Sequence, residues 1–82
     1  MMYPFMTLED GTEVVHSELR DNGTIKVNFE KPTIGGFYSA FCVLPQFTWN
    51  EVDGFSSGDI DRFQNFLKAA AQLISERTQQ MR

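Results

Sequence analysis

At 82 residues, 41% of them apolar and 22% charged, the chain holds one domain and one core over residues 1–82, which excludes a second domain and an intrinsically disordered class. Eleven Asp and Glu against seven Lys and Arg give a net charge of −4, which argues against binding nucleic acid through phosphate attraction. The single cysteine, Cys42, cannot form an internal disulfide; so small a domain built for an oxidising compartment would carry more, so a cytoplasmic location is expected.

The opening MMYPFMTLEDG has no basic, apolar leader, and nowhere do about 18 apolar residues run together, so neither export through a signal peptide nor a membrane span is expected. Residues 3 to 8, YPFMTL, predict a first strand, in which Pro4 requires either an edge position or a place among the opening residues. Asp10-Gly11 supplies a turn before a second strand over 13 to 19. Asn22-Gly23 then predicts a tight hairpin with a type I′ turn. The same residues form a glycosylation acceptor pattern with Thr24, which is idle without a secretory signal.

The third strand, Thr24 to Glu30, alternates cleanly, with Ile25, Val27 and Phe29 on one face and Lys26, Asn28 and Glu30 on the other. Residues 31 to 36, KPTIGG, read as a loop. The fourth strand, 37 to 44, is apolar on both faces: Phe37, Phe41 and Val43 on one, Tyr38, Ala40, Cys42 and Leu44 on the other. It is therefore expected to be central and covered at least partly on both sides. Residues 47 to 52 are either a fifth strand or an irregular aromatic segment, ended by Asp53-Gly54.

From there the period changes. Ser56 and Asp59 resemble a capping box, and Ile60, Phe63, Leu67, Ala70 and Ile74 recur at helical spacing, flanked by Phe66 and Leu73. A helix is expected over 57 to 77, with 78 to 82 fraying. Acidic residues before position 62 and Arg62, Lys68, Arg77 and Arg82 after it follow the order that the helix dipole favours. The fold class is α+β: an antiparallel sheet of four to five strands with one C-terminal helix packed on one face.

No motif names a reaction. Cys42 and His16 are the one thiol and imidazole available for nucleophilic catalysis, yet Phe41-Cys42-Val43 is the setting of a buried small hydrophobe. The chain is therefore expected not to be an enzyme. One His and one Cys cannot build a standard zinc site, and neither Asp-Gly pair has calcium-loop spacing, so no metal or other cofactor is expected. Phe47, Trp49 and Phe55 are the candidate binding residues, with the acidic pair Glu51 and Asp53. The aromatics either roof the second sheet face or form an interaction hot spot. The carboxylates either are solvated or meet a basic partner.

The stretch GGFYSAFCVLPQFTWNEVDGFSSGDIDRFQNFLKAAAQLI, with FMTLEDGTEVVHSEL before it, resembles a group of small bacterial proteins found largely in gut Firmicutes and their mobile elements, which share a front half of the form F-M-T-L-x-D-G-T-E and a back half with S-A-x-C-x-L-P. That resemblance implies a bacterial host and assigns no activity. GGFYSAFCVLP leading to SSGDIDRF is also similar to the glycine-aromatic strand and Gly-Asp helix start of HicB-type antitoxins, which implies toxin binding as an alternative. The expected function is a protein-interaction or regulatory module that meets a protein partner or a second copy of itself.

Overall fold

In a computed structural model, which describes residues 1–81, the elements follow one another as β1 (Met2–Thr7), β2 (Glu13–Ser17), β3 (Ile25–Thr33), β4 (Gly36–Leu44), β5 (Thr48–Asp53) and α1 (Ser57–Gln80). The strands form one antiparallel meander in sequence order, and the helix lies across one face. This is the expected α+β architecture.

The turns flanking β2 share one design. Leu8 N–H donates to Thr12 O and Gly11 N–H to Leu8 O; Arg20 N–H donates to Thr24 O and Gly23 N–H to Arg20 O. Asp10 Oδ1 accepts from Thr12 N–H at 3.0 Å, and Asn22 Oδ1 from Thr24 N–H at 3.2 Å. Gly11 and Gly23 sit at φ +89° and +80°, whereas Asn22 has no positive φ. The second hairpin therefore has a three-residue loop with a left-handed glycine, and the expected type I′ turn, which needs two positive φ values, is absent. Asx side chains that accept from the backbone two residues on favour this longer loop.

Residues 31 to 36 are mostly not a loop. The ladder continues through Lys31↔Tyr38, Pro32↔Phe37 and Thr33↔Gly36, leaving Ile34 and Gly35 at the turn. β2 pairs with β3 only as far as Glu30, so beyond it β3 has a free side, where a residue lacking an N–H is tolerated. The fifth strand exists, but with an irregularity: Phe41 pairs with Asn50 and Ser39 with Asp53, so β5 holds an extra residue, where Glu51 adopts φ +52°. β1 has a matching bulge between Pro4 and Met6. Bulges on both outer strands, with Pro4 on one, blunt the edges against pairing with another chain.

Ser56 caps the helix as expected: its Oγ accepts from Asp59 N–H at 3.1 Å, and Asp59 Oδ2 accepts from Ser56 N–H at 3.0 Å. The helix runs one turn beyond the expected end. Phe63, Leu67, Ala70, Ile74 and Thr78 form its buried stripe, and Thr78 Oγ1 donates to Ser75 O at 2.7 Å. A threonine that satisfies its hydroxyl on its own helix continues an apolar stripe without an apolar letter. Arg77 pins that end by donating to Pro4 O at 3.1 Å. Leu73, expected beside the stripe, is exposed.

The core is aromatic at its centre. Phe29 and Phe63 are fully buried and stacked, with ring centroids 4.5 Å apart, and Phe55 meets Phe63 edge-on at 4.9 Å. Each buried phenylalanine contributes about 2–3 kcal/mol through burial. At the helix N-terminus, Arg62 bridges Asp10 at 3.1 Å and Asp59 at 3.2 Å, tying α1 to the β1–β2 turn.

Candidate interaction surface

Strand alternation divides the sheet into a helix side and an open side. Val14, His16, Val27, Phe29, Ala40, Cys42 and Leu44 are buried on the helix side, while Val15, Lys26, Asn28, Glu30, Ser39, Phe41 and Val43 remain partly accessible on the other.

The aromatic segment does not roof the open side. Trp49 pairs with Cys42 and so shares its face; its ring packs 5.4 Å from Phe29 and its N–H donates to Gln64 Oε1 at 2.7 Å. Phe55 is buried against Phe63, and Tyr38 meets it edge-on. Phe47, at φ +59°, lines a mainly apolar cleft of about 180 Å³ between the β2–β3 and β4–β5 turns and the helix, with Leu19, Ile25, Leu44 and Ala71. Of the candidate binding residues, only Glu51 and Asp53 are exposed. Glu51 lines a shallow polar depression on the open side with Lys26, Asn28, Glu30, Ser39 and Phe41.

Cys42 and His16 do not meet. His16 pairs with Val27 and Val27 with Cys42, so β3 lies between them and the two are about 10 Å apart, two strand spacings. Both are fully buried. Burial pushes the Cys42 thiol up to about 11, the opposite of what nucleophilic activation requires. His16 Nδ1 lies 2.9 Å from Ser17 O, and Tyr3 and Phe5 flank its ring.

The open side is organised in rows that cross the strands. One row carries Glu13, Glu30, Ser39 and Asp53. The next carries Pro4, Val15, Asn28, Phe41 and Asn50. Beyond it lie Lys26, Val43 and Thr48, with Ser17 Oγ accepting from Lys26 N–H at 2.9 Å. The Lys26 ammonium rests 4.1 Å from the Phe41 ring centroid. Among the described residues neither Lys26 nor Glu30 forms a salt bridge; those present join Asp10, Asp59 and Glu18 to Lys31, Arg62 and the N-terminus.

Sequence reasoning missed the apex of the β3–β4 hairpin as a surface feature: Ile34 is fully exposed and Phe37 is 67% exposed. The available signal was Gly35-Gly36 between two apolar residues, which marks a projecting turn. Among the described residues, no helix is long and apolar enough to cross a membrane. The chain matches no protein-family model, no curated protein and no solved structure.

Proposed function

We propose that this chain is a cytoplasmic, non-enzymatic protein-binding module whose docking surface is the open side of the sheet. The supporting observation is the division of labour between the faces. One helix and the aromatics Trp49 and Phe55 fill the helix side, while Phe41, Val15 and Val43 on the other side remain partly accessible. A face that mixes part-exposed aromatic and aliphatic groups with charges lacking salt-bridge partners suits reversible protein contact, in which an apolar centre is ringed by polar groups. A free, buried Cys42 accords with a reducing compartment, and its inert setting speaks against a nucleophilic role for the thiol. The HicB-like alternative would use the same kind of protein contact with a toxin as partner.

Photo-cross-linking tests this reading. A benzophenone amino acid at Asn50, on the open side, should give protein adducts in host cells, whereas the same group at Gln72, exposed on the helix, should give none. Equal adducts from both positions, or none from Asn50, would remove the assignment of the face.

A further inference from the structure

Lys26 and Glu30 make the centre of the open face complementary to itself, while Glu13, Glu51 and Asp53 leave the face acidic as a whole. Resting on the reading of that face as the docking surface, we propose that its partner is a second copy of this chain, bound face to face about a two-fold axis that runs across the strands over the row of Asn28 and Phe41.

Lys26 and Glu30 lie on one strand, two residues to either side of Asn28. At about 3.3 Å per residue, each stands roughly 7 Å from that row. An axis above the row, perpendicular to the strands, lays β3 antiparallel over its own copy. Asn28 then faces Asn28, Phe41 faces Phe41, and Lys26 of each protomer faces Glu30 of its partner, giving two symmetric ion pairs. The rest of the acidic row meets uncharged hydroxyl groups: Glu13 lies over Ser17, whose proton is donated to Glu18 O at 2.8 Å, and Asp53 lies over Thr48. An axis parallel to the strands over β3 would instead place Lys26 on Lys26 and Glu30 on Glu30. Isologous contacts of the first kind are the common form of homodimer.

Sheets packed face to face are usually rotated by about 30°, which displaces a group roughly 7 Å from the axis by roughly 4 Å. A lysine and a glutamate side chain together span that offset. The bulged outer strands disfavour the competing mode of self-association, edge pairing.

The face also sets the strength. Five strands about 4.8 Å apart and three rows about 7 Å apart define a patch of roughly 24 by 20 Å, so the dimer buries about 950 Å² in total, below the standard stable interface of about 1,600 Å². The association is therefore weak and concentration-dependent.

Sedimentation equilibrium from about 10 to about 500 μM tests it, with folding of each variant checked by circular dichroism. The native chain should pass from monomer towards dimer across this range, where weak interfaces dissociate. Lys26→Glu and Glu30→Lys should each weaken dimerisation at least about tenfold, by placing like charges opposite each other twice. The double variant K26E/E30K should return to within about threefold of the native constant, because the pairs are re-formed with exchanged signs. A native chain that stays monomeric throughout, single variants that dimerise normally, or a double variant weaker than either single would each overturn the proposal. The cross-linking experiment separates this failure from failure of the docking face: adducts from Asn50 with a different protein sink the dimer alone, whereas no adducts sink both.

Discussion

The indole N–H of Trp49 donates to Oε1 of Gln64 at 2.7 Å, joining the last strand to the helix across the edge of the aromatic core. Trp49 therefore acts as packing and as a polar latch. Trp49→Ala should cost about 2–3 kcal/mol of stability, a partly buried version of the usual large-aromatic truncation. Trp49→Phe, which keeps a ring and removes the donor, should cost about 1 kcal/mol. Urea unfolding followed by circular dichroism distinguishes these values. Per folded molecule, neither change should alter self-association; a loss of association with unchanged stability would place Trp49 in an interface after all.

Of the chain's glycines, Gly54 alone is closely approached by another side chain's ring, that of Tyr38. A Cβ on Gly54 would lie 2.1 Å from Tyr38 Cδ1, and φ is +92° there. Gly54→Ala should therefore cost more than about 2 kcal/mol through both strain and overlap. Gly11→Ala has the same backbone strain, at φ +89°, with nothing within 4 Å, and should cost only about 1 kcal/mol. Adding Tyr38→Ala to G54A should recover the steric part. Equal costs at the two glycines in thermal unfolding would contradict the close contact.

Asp10 is held at about 2, chiefly because its carboxylate accepts from Thr12 N–H, with Arg62 and Lys31 adding attraction. A carboxylate whose folded value lies below its unfolded value, 3.8, stabilises the fold above the unfolded value and loses that contribution as pH falls towards the folded one. Asp10→Asn keeps the turn acceptor, as Asn22 does in the second turn, and removes the charge. It should lower stability by up to about 1 kcal/mol at pH 7, a value reduced for solvent screening. The two proteins should converge below about pH 2. A gap that persisted at low pH would show that the charge is not its cause.

With its thiol pushed up to about 11 and fully buried, Cys42 should resist a disulfide reagent at pH 8 for as long as the chain stays folded and react promptly once it unfolds. Above the unfolded value of 9.0, the unfolded thiol ionises first, so stability should decline from pH 9 towards 11. Cys42→Ala should be free of that decline. Rapid labelling of the native thiol would refute its place in the core.

The sequence by itself determined whatever is written in neighbouring residues. Asx-Gly pairs placed the first two hairpins, because only glycine takes the left-handed φ there without strain. Ser56 and Asp59 placed the helix start, because the capping box closes within four residues. The alternation from Ile25 to Glu30 separated a buried face from a wet one. The tertiary structure decided what depends on a distant partner. The pairing of Cys42 with Trp49 put the aromatic segment on the helix side, and a slip of one residue would have reversed that side. The free flank of β3 beyond Glu30 let the ladder continue through Pro32, and the packing of Thr78 carried the helix past its apparent end. The acidic row of Glu13, Glu30 and Asp53 is assembled from three strands, so the charge pattern of the open face exists only once the register is set.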